Sequence, residues 1–151
     1  MHRESGATIV EMALLAPVFL LVLLALVELS LMFFATLTMQ AAVREGARYA
    51  ITGQSNLDPN TSSQQRYKAI IQKMRDSSLG MYERLGAEIS VNGTVYPSGS
   101  YSSGMFGAPG SIIVVQLDCD WPVTTPLLSR FFDNGTYHFA VAATMRNEVF
   151  P

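Results

Sequence analysis

Between residues 12 and 43 the chain carries one charged side chain, Glu28. A helix that crosses a bilayer needs roughly 20 predominantly apolar residues, and residues 12–34 supply them. A secretory signal peptide would show an apolar stretch of about 7–15 residues behind a basic segment and ahead of a small-residue cleavage site. Here the stretch is longer, only Arg3 precedes it among the basic residues, and no such site follows. The segment is therefore expected to be a retained span. Pro17 lies within it and removes one helical hydrogen bond, which membrane helices tolerate; a mild bend near Ala13 is expected.

The helix is not expected to stop at the membrane. TLTMQAAVREGARYA, residues 36–50, contains no proline and meets a C-terminal stop at Thr52-Gly53. Residues 8–50 would form a rod of roughly 65 Å, about twice the hydrocarbon thickness. Ala42, Gly46 and Ala50 recur every fourth residue. Small side chains on one face either let another helix approach closely or are simply helix-compatible.

Charge is divided unevenly. Residues 1–43 hold Arg3 against Glu4, Glu11 and Glu28, which accounts for the whole formal charge of −2. The remainder balances its bases and acids and offers no basic patch, which argues against a nucleic-acid partner. The chain is 49% hydrophobic and 15% charged, too apolar for disorder. Cys119 is the single cysteine, so no intrachain disulfide can form; it reads as a small buried apolar residue.

An ionised carboxylate inside a membrane costs a few kcal/mol or more, so Glu11 and Glu28 require explanations. Their spacing of 17 positions turns them roughly 100° apart on a helix, so they cannot act as a pair. Cleavage after Gly6 would supply Glu11 with a partner. The new amine on Ala7 and the carboxylate of Glu11 would then stand at positions one and five of a helix, on one face. The first turn also favours negative charge through the helix dipole. An amine from a neighbouring chain would serve equally and make Glu11 a register device.

Gly6-Ala7 followed by Glu11 and an apolar helix resembles the processing pattern of type IV-like prepilins. VEMALLAPVFLLVLLALVELSLMFF followed by AAVREGARYA is similar to the TadE-like pseudopilins of tight-adherence (Tad/Flp) pilus systems. It shares Val10-Glu11, Pro17, Glu28-Leu29 and the run Arg44, Glu45, Gly46, Ala47, Arg48. The similarity covers about residues 3–52. Two departures are the short leader, in which Glu4 offsets Arg3, and the extra Val43 before the REGAR run. The resemblance implies a leader over residues 1–6, cut between Gly6 and Ala7 by a prepilin peptidase, and a membrane and stem helix over 7–52. It places residues 53–151 outside the bacterial inner membrane, on a single-pass chain that is drawn into a pilus or a pilus-associated complex. Implied partners are other pilins or pseudopilins and the inner-membrane assembly platform. Glu28 would be buried among helices, neutral or matched by a partner's base. The alternative for Glu28 is a protonated acid bonded to a backbone carbonyl.

In the outer part, GQSNLDPNTSS at 53–63 reads as a polar hinge, with Thr61 or Ser62 as a helix cap. Tyr67, Ile70, Ile71 and Met74 recur at helical spacing, predicting an amphipathic helix that ends near Gly80. Residues 88–91 and 94–96 form a hairpin across Asn92-Gly93. The Gly/Ser-rich loop at 97–110 is long enough to be functional or disordered. Ile113, Val115, Leu117, Cys119 and Trp121 alternate onto one face of a strand, and Tyr137, Phe139, Val141, Ala143 and Met145 onto one face of another. Leu127, Leu128, Phe131 and Phe132 suggest a short apolar turn. The expected class is α+β, pilin-like: a long helix, a second helix and three or four antiparallel strands.

Catalytic signatures are weak. His138 alternates with a buried face and reads as a surface residue. One cysteine and the histidines do not assemble a metal site. Asp118 and Asp120 share a strand face that reads as a solvated edge. Gly104, Gly107 and Gly110 lack the lysine of a phosphate loop. The chain reads as a non-enzyme without cofactor: a minor pilin or pseudopilin acting in assembly, initiation or adhesion. A signal-anchored sensor or binding domain is the alternative, and a tethered hydrolase built on Asp118 and Asp120 a third possibility.

Overall fold

The computed structural model describes residues 4–149, with side chains from Thr8 onward. Residues 1–3 of the expected leader, His2 among them, and residues 150–151 lie outside the described residues.

The first helix, α1, runs through Glu4–Ile51 without a break at Pro17. It changes character along its length. From Thr8 to Val27 no residue is buried; from Glu28 on, one face is covered at Glu28, Met32, Ala35, Met39, Ala42, Val43, Ala47 and Ala50. Its covered part is a core element of the outer domain, since Met32, Ala35, Met39, Val43 and Ala50 belong to the same hydrophobic cluster as the sheet.

α2 spans Arg66–Ser77 and buries Ala69, Ile70, Ile71 and Met74 against that cluster, the face its periodicity predicts. It stops at Ser77, with Gly80 just beyond in the left-handed region. The expected cap is corrected. Neither Thr61 nor Ser62 caps α2, whose N-cap position is Gln65 and lacks a side-chain cap bond. Asp58 organises this turn instead, accepting hydrogen bonds from Gln65 N–H at 2.6 Å, Asn60 N–H at 2.9 Å and the Ser63 hydroxyl at 2.8 Å. A carboxylate accepts several donors at once where a hydroxyl satisfies fewer, so the segment expected to be a hinge is tied down. Burial alone would push the Asp58 carboxyl up; these donors and the Lys68 charge outweigh it and hold it below the ordinary aspartate range.

A short α3, Met81–Arg84, leads into β1, Glu88–Val91, and β2, Thr94–Tyr96. Asn92 and Gly93 both take positive φ, 51° and 81°, as a tight hairpin with this register requires. β3 (Ile112–Pro122), a single helical turn α4 (Pro126–Ser129) and β4 (Thr136–Arg146) complete a four-stranded antiparallel sheet ordered β2-β1-β3-β4. The strand-period reading of β3 holds: Ile113, Val115, Leu117, Cys119 and Trp121 are all buried. In β4 only Val141 is fully buried, and Tyr137, Phe139, Ala143 and Met145 are half-buried. β4 is an edge strand that packs against α1, with Gln40 Nε2 donating to Ala142 O at 3.0 Å. The result is the α+β, pilin-like arrangement: α1 and α2 on a four-stranded antiparallel sheet.

The 97–110 loop joins the core through Met105 and Phe106, both buried. The Arg66 guanidinium donates to Gly107 O and Ala50 O at 2.9 and 2.8 Å, and the Asn147 amide donates to Phe106 O and Ala108 O at 2.9 and 3.0 Å. These two side chains tie the loop to the top of α1 and the end of β4.

Candidate functional site along the long helix

The sequence places its candidate residues along α1, and the structure separates them into three levels. At the base, Gly6 and Ala7 lie in the helical backbone, and their side chains are outside the described residues. One turn on, Glu11 is exposed on a helix surrounded by exposed Ile9, Val10, Met12 and Leu14. Thr8–Ile51 is long and apolar enough to cross a membrane, with a mean hydropathy of 2.7 over its most apolar window.

At the middle level stands Glu28, the first buried residue of α1, 4% exposed. Its Oε1 accepts from Trp121 Nε1–H at 3.0 Å and from Thr124 N–H at 3.3 Å. Its Oε2 meets the Thr124 hydroxyl at 2.6 Å and the Thr125 hydroxyl at 3.0 Å. The indole and amide groups can only donate, so Oε1 is an acceptor in either protonation state. A protein carbonyl or a partner's base was expected here; the groups found are donors from the end of β3 of the same chain. The missed signal is that a buried Trp N–H requires an acceptor, and Trp121 is followed closely by two hydroxyls.

At the upper level, Ala42 and Ala50 are fully buried and Gly46 is buried beside Met74 of α2. A Cβ on Gly46 would overlap Met74 Cγ, so the helix that approaches the small-residue face is the chain's own α2. The REGAR run is split accordingly. Gly46 and Ala47 turn inward, while Arg44, Glu45 and Arg48 stay exposed, with Glu45 3.9 Å from Lys73.

Residues 6–48 match the family of TadE-like proteins. That segment is TadE-like. The match ends within α1, so the four-stranded sheet lies outside it. No curated protein and no solved structure matches the chain.

Away from α1, Asp120 and His138 face each other across β3 and β4, with Nδ1 and Oδ1 2.6 Å apart on an exposed surface. Asp118 instead accepts from Gln116 Nε2 at 2.7 Å. Among the described residues, no group of three or more His, Cys, Asp or Glu side chains is placed to hold a metal ion. Burial pushes the Cys119 thiol up to about 12, with Asp118 and Asp120 adding to the shift, which leaves it a packing residue at neutral pH.

Proposed function

We propose that this TadE-like protein is a minor pilin or pseudopilin of a Tad-type pilus, anchored in the bacterial inner membrane by α1 with its C-terminus outside. A prepilin peptidase cuts it between Gly6 and Ala7, leaving Glu11 as the fifth residue of the mature chain. It works in pilus assembly, initiation or adhesion, alongside other pilins and the assembly platform. The observation that carries this reading is Gly6-Ala7 and Glu11 at the head of an apolar helix within the TadE-like match. The exposed apolar lower half of α1 supports it, because lipid or other pilin helices have to cover such a surface. So does the outer domain, which is bulky for a shaft subunit.

The test is the intact mass of the protein from host membranes, wild type beside Gly6→Ala. The wild type is expected to lack residues 1–6 and the variant to retain them. A full-length mass in both would overturn the processing and leave a signal-anchored binding domain as the better reading.

A further inference from the structure

The turn after β3 exposes apolar side chains at an unusual place. Leu127 is 47% and Phe131 79% exposed, and Arg130 between them is exposed too. Leu127 lies in α4, which is four residues long and without a buried side chain, and Arg130 and Phe131 follow directly after it. The stretch just before them, Trp121 to Thr125, is the one that holds Glu28. On its other side, Phe132 and Tyr137 line a cavity with Leu29, Met32, Phe33 and Thr36 of α1. The exposed tips therefore stand beside α1 at the level of Glu28.

That level falls within the apolar length of the helix. Residues 8–27 alone make a rod of about 30 Å, the thickness of a hydrocarbon core. Large exposed apolar side chains continue along α1 past Glu28, with Leu29 and Phe33 beside the domain and Leu31, Phe34 and Leu37 also exposed. Exposed charge begins only at Arg44. Leu37 is roughly 13 Å above Glu28. A bilayer that solvates this apolar surface also reaches the turn bound to Glu28.

We propose that residues 124–132 form a second membrane contact, in which Leu127 and Phe131 enter the outer headgroup–acyl boundary and Arg130 meets lipid phosphate. Glu28 sets the depth, because its carboxylate fastens this turn to a fixed point on the anchor. Apolar side chains with a neighbouring base are the composition that binds such an interface, and an arginine stem reaches from it to the phosphate layer. The domain, already packed on the upper half of α1, is then also held at the membrane surface. This inference rests on α1 being a membrane anchor.

Site-directed spin labels test it in the full chain, with Cys119→Ala removing the native thiol, in vesicles of phosphatidylethanolamine and phosphatidylglycerol. Labels are placed by Leu20→Cys in the span, Leu127→Cys and Phe131→Cys in the turn, and Ile112→Cys at the opposite end of β3. The readout is accessibility to oxygen against a water-soluble nickel chelate. The expected result is several-fold lower nickel accessibility at 127 and 131 than at 112, with 20 lower still. Nickel accessibility at 127 and 131 equal to that at 112, with 20 still shielded, overturns the second contact and assigns the patch to a protein partner. A label at 20 open to nickel overturns the anchor and this inference together.

Discussion

The lower and upper halves of α1 have the same secondary structure and opposite dependencies. From Thr8 to Val27 no residue is buried, and large apolar side chains are exposed along the whole stretch. From Glu28 to Ile51 one face is part of a protein core. The lower half therefore constrains its surroundings, and the upper half constrains its own sequence. Bulky aliphatic residues suffice below, where any apolar shape fits a fluid environment. Above, the residues against α2 are small, and the buried carboxylate, Glu28, has a defined set of donors.

The largest expected effect breaks the two halves apart. A chain beginning at Val27 should keep its near-UV circular dichroism in mild detergent, whereas one beginning at Gln54 should lose it, because Met32, Met39 and Val43 leave the core with it. Native-like signal from the shorter chain would show that the upper half is only a stalk. Next, Gly46→Val should cost about 3 kcal/mol by forcing Met74 out of its buried position. Leu23→Ala in the lower half should stay within about 0.5 kcal/mol in detergent. Thermal or denaturant unfolding of both variants checks the contrast, and equal losses would erase it.

Glu28→Leu sharpens the boundary between the halves. It leaves the Trp121 N–H without its acceptor in a buried site, at an expected cost of about 2 kcal/mol. Trp121 fluorescence should shift as the turn comes loose, and an unchanged spectrum and midpoint would deny Glu28 its structural role.

A smaller effect concerns Asp58, whose carboxyl is held below its ordinary range in the folded chain. A depressed folded value contributes stability above the unfolded value, near about 3.9; that contribution is lost as pH falls through and below it. Unfolding midpoints of Asp58→Asn should therefore show a flatter acid limb than the wild type, and identical limbs would remove Asp58 from the account. Smallest in energy, Cys119 should resist a thiol reagent at mildly alkaline pH until the chain is unfolded. Rapid labelling of the native protein would contradict its burial.

Patterns confined to neighbouring residues could be read directly from the sequence. The long helix, the buried face of α2, the alternation of β3 and the Asn92-Gly93 hairpin each depend on spacings of two to four residues, and burial selects the same positions. The cap of α2 was misread because Thr61 and Ser62 stand at the right spacing while the stronger acceptor, Asp58, sits further back. The order of the 97–110 loop is not legible locally, because the groups that secure it, Arg66 and Asn147, lie far off on either side.

The candidate site divides in the same way. At the base, Gly6, Ala7 and Glu11 form a short-range pattern, and the processing proposed for it awaits the mass measurement. Glu28 was legible only as a problem, a carboxylate in apolar surroundings, since its donors are 93 to 97 residues away. The stripe at Ala42, Gly46 and Ala50 left open whether a helix packs there, and Met74 of α2 against Gly46 decides it. By itself the sequence determined where the chain is helical and which side chains seek cover. Only the tertiary structure decided what covers them, because hydrogen bonding and van der Waals contact act over a few ångströms in space, whatever the distance along the chain.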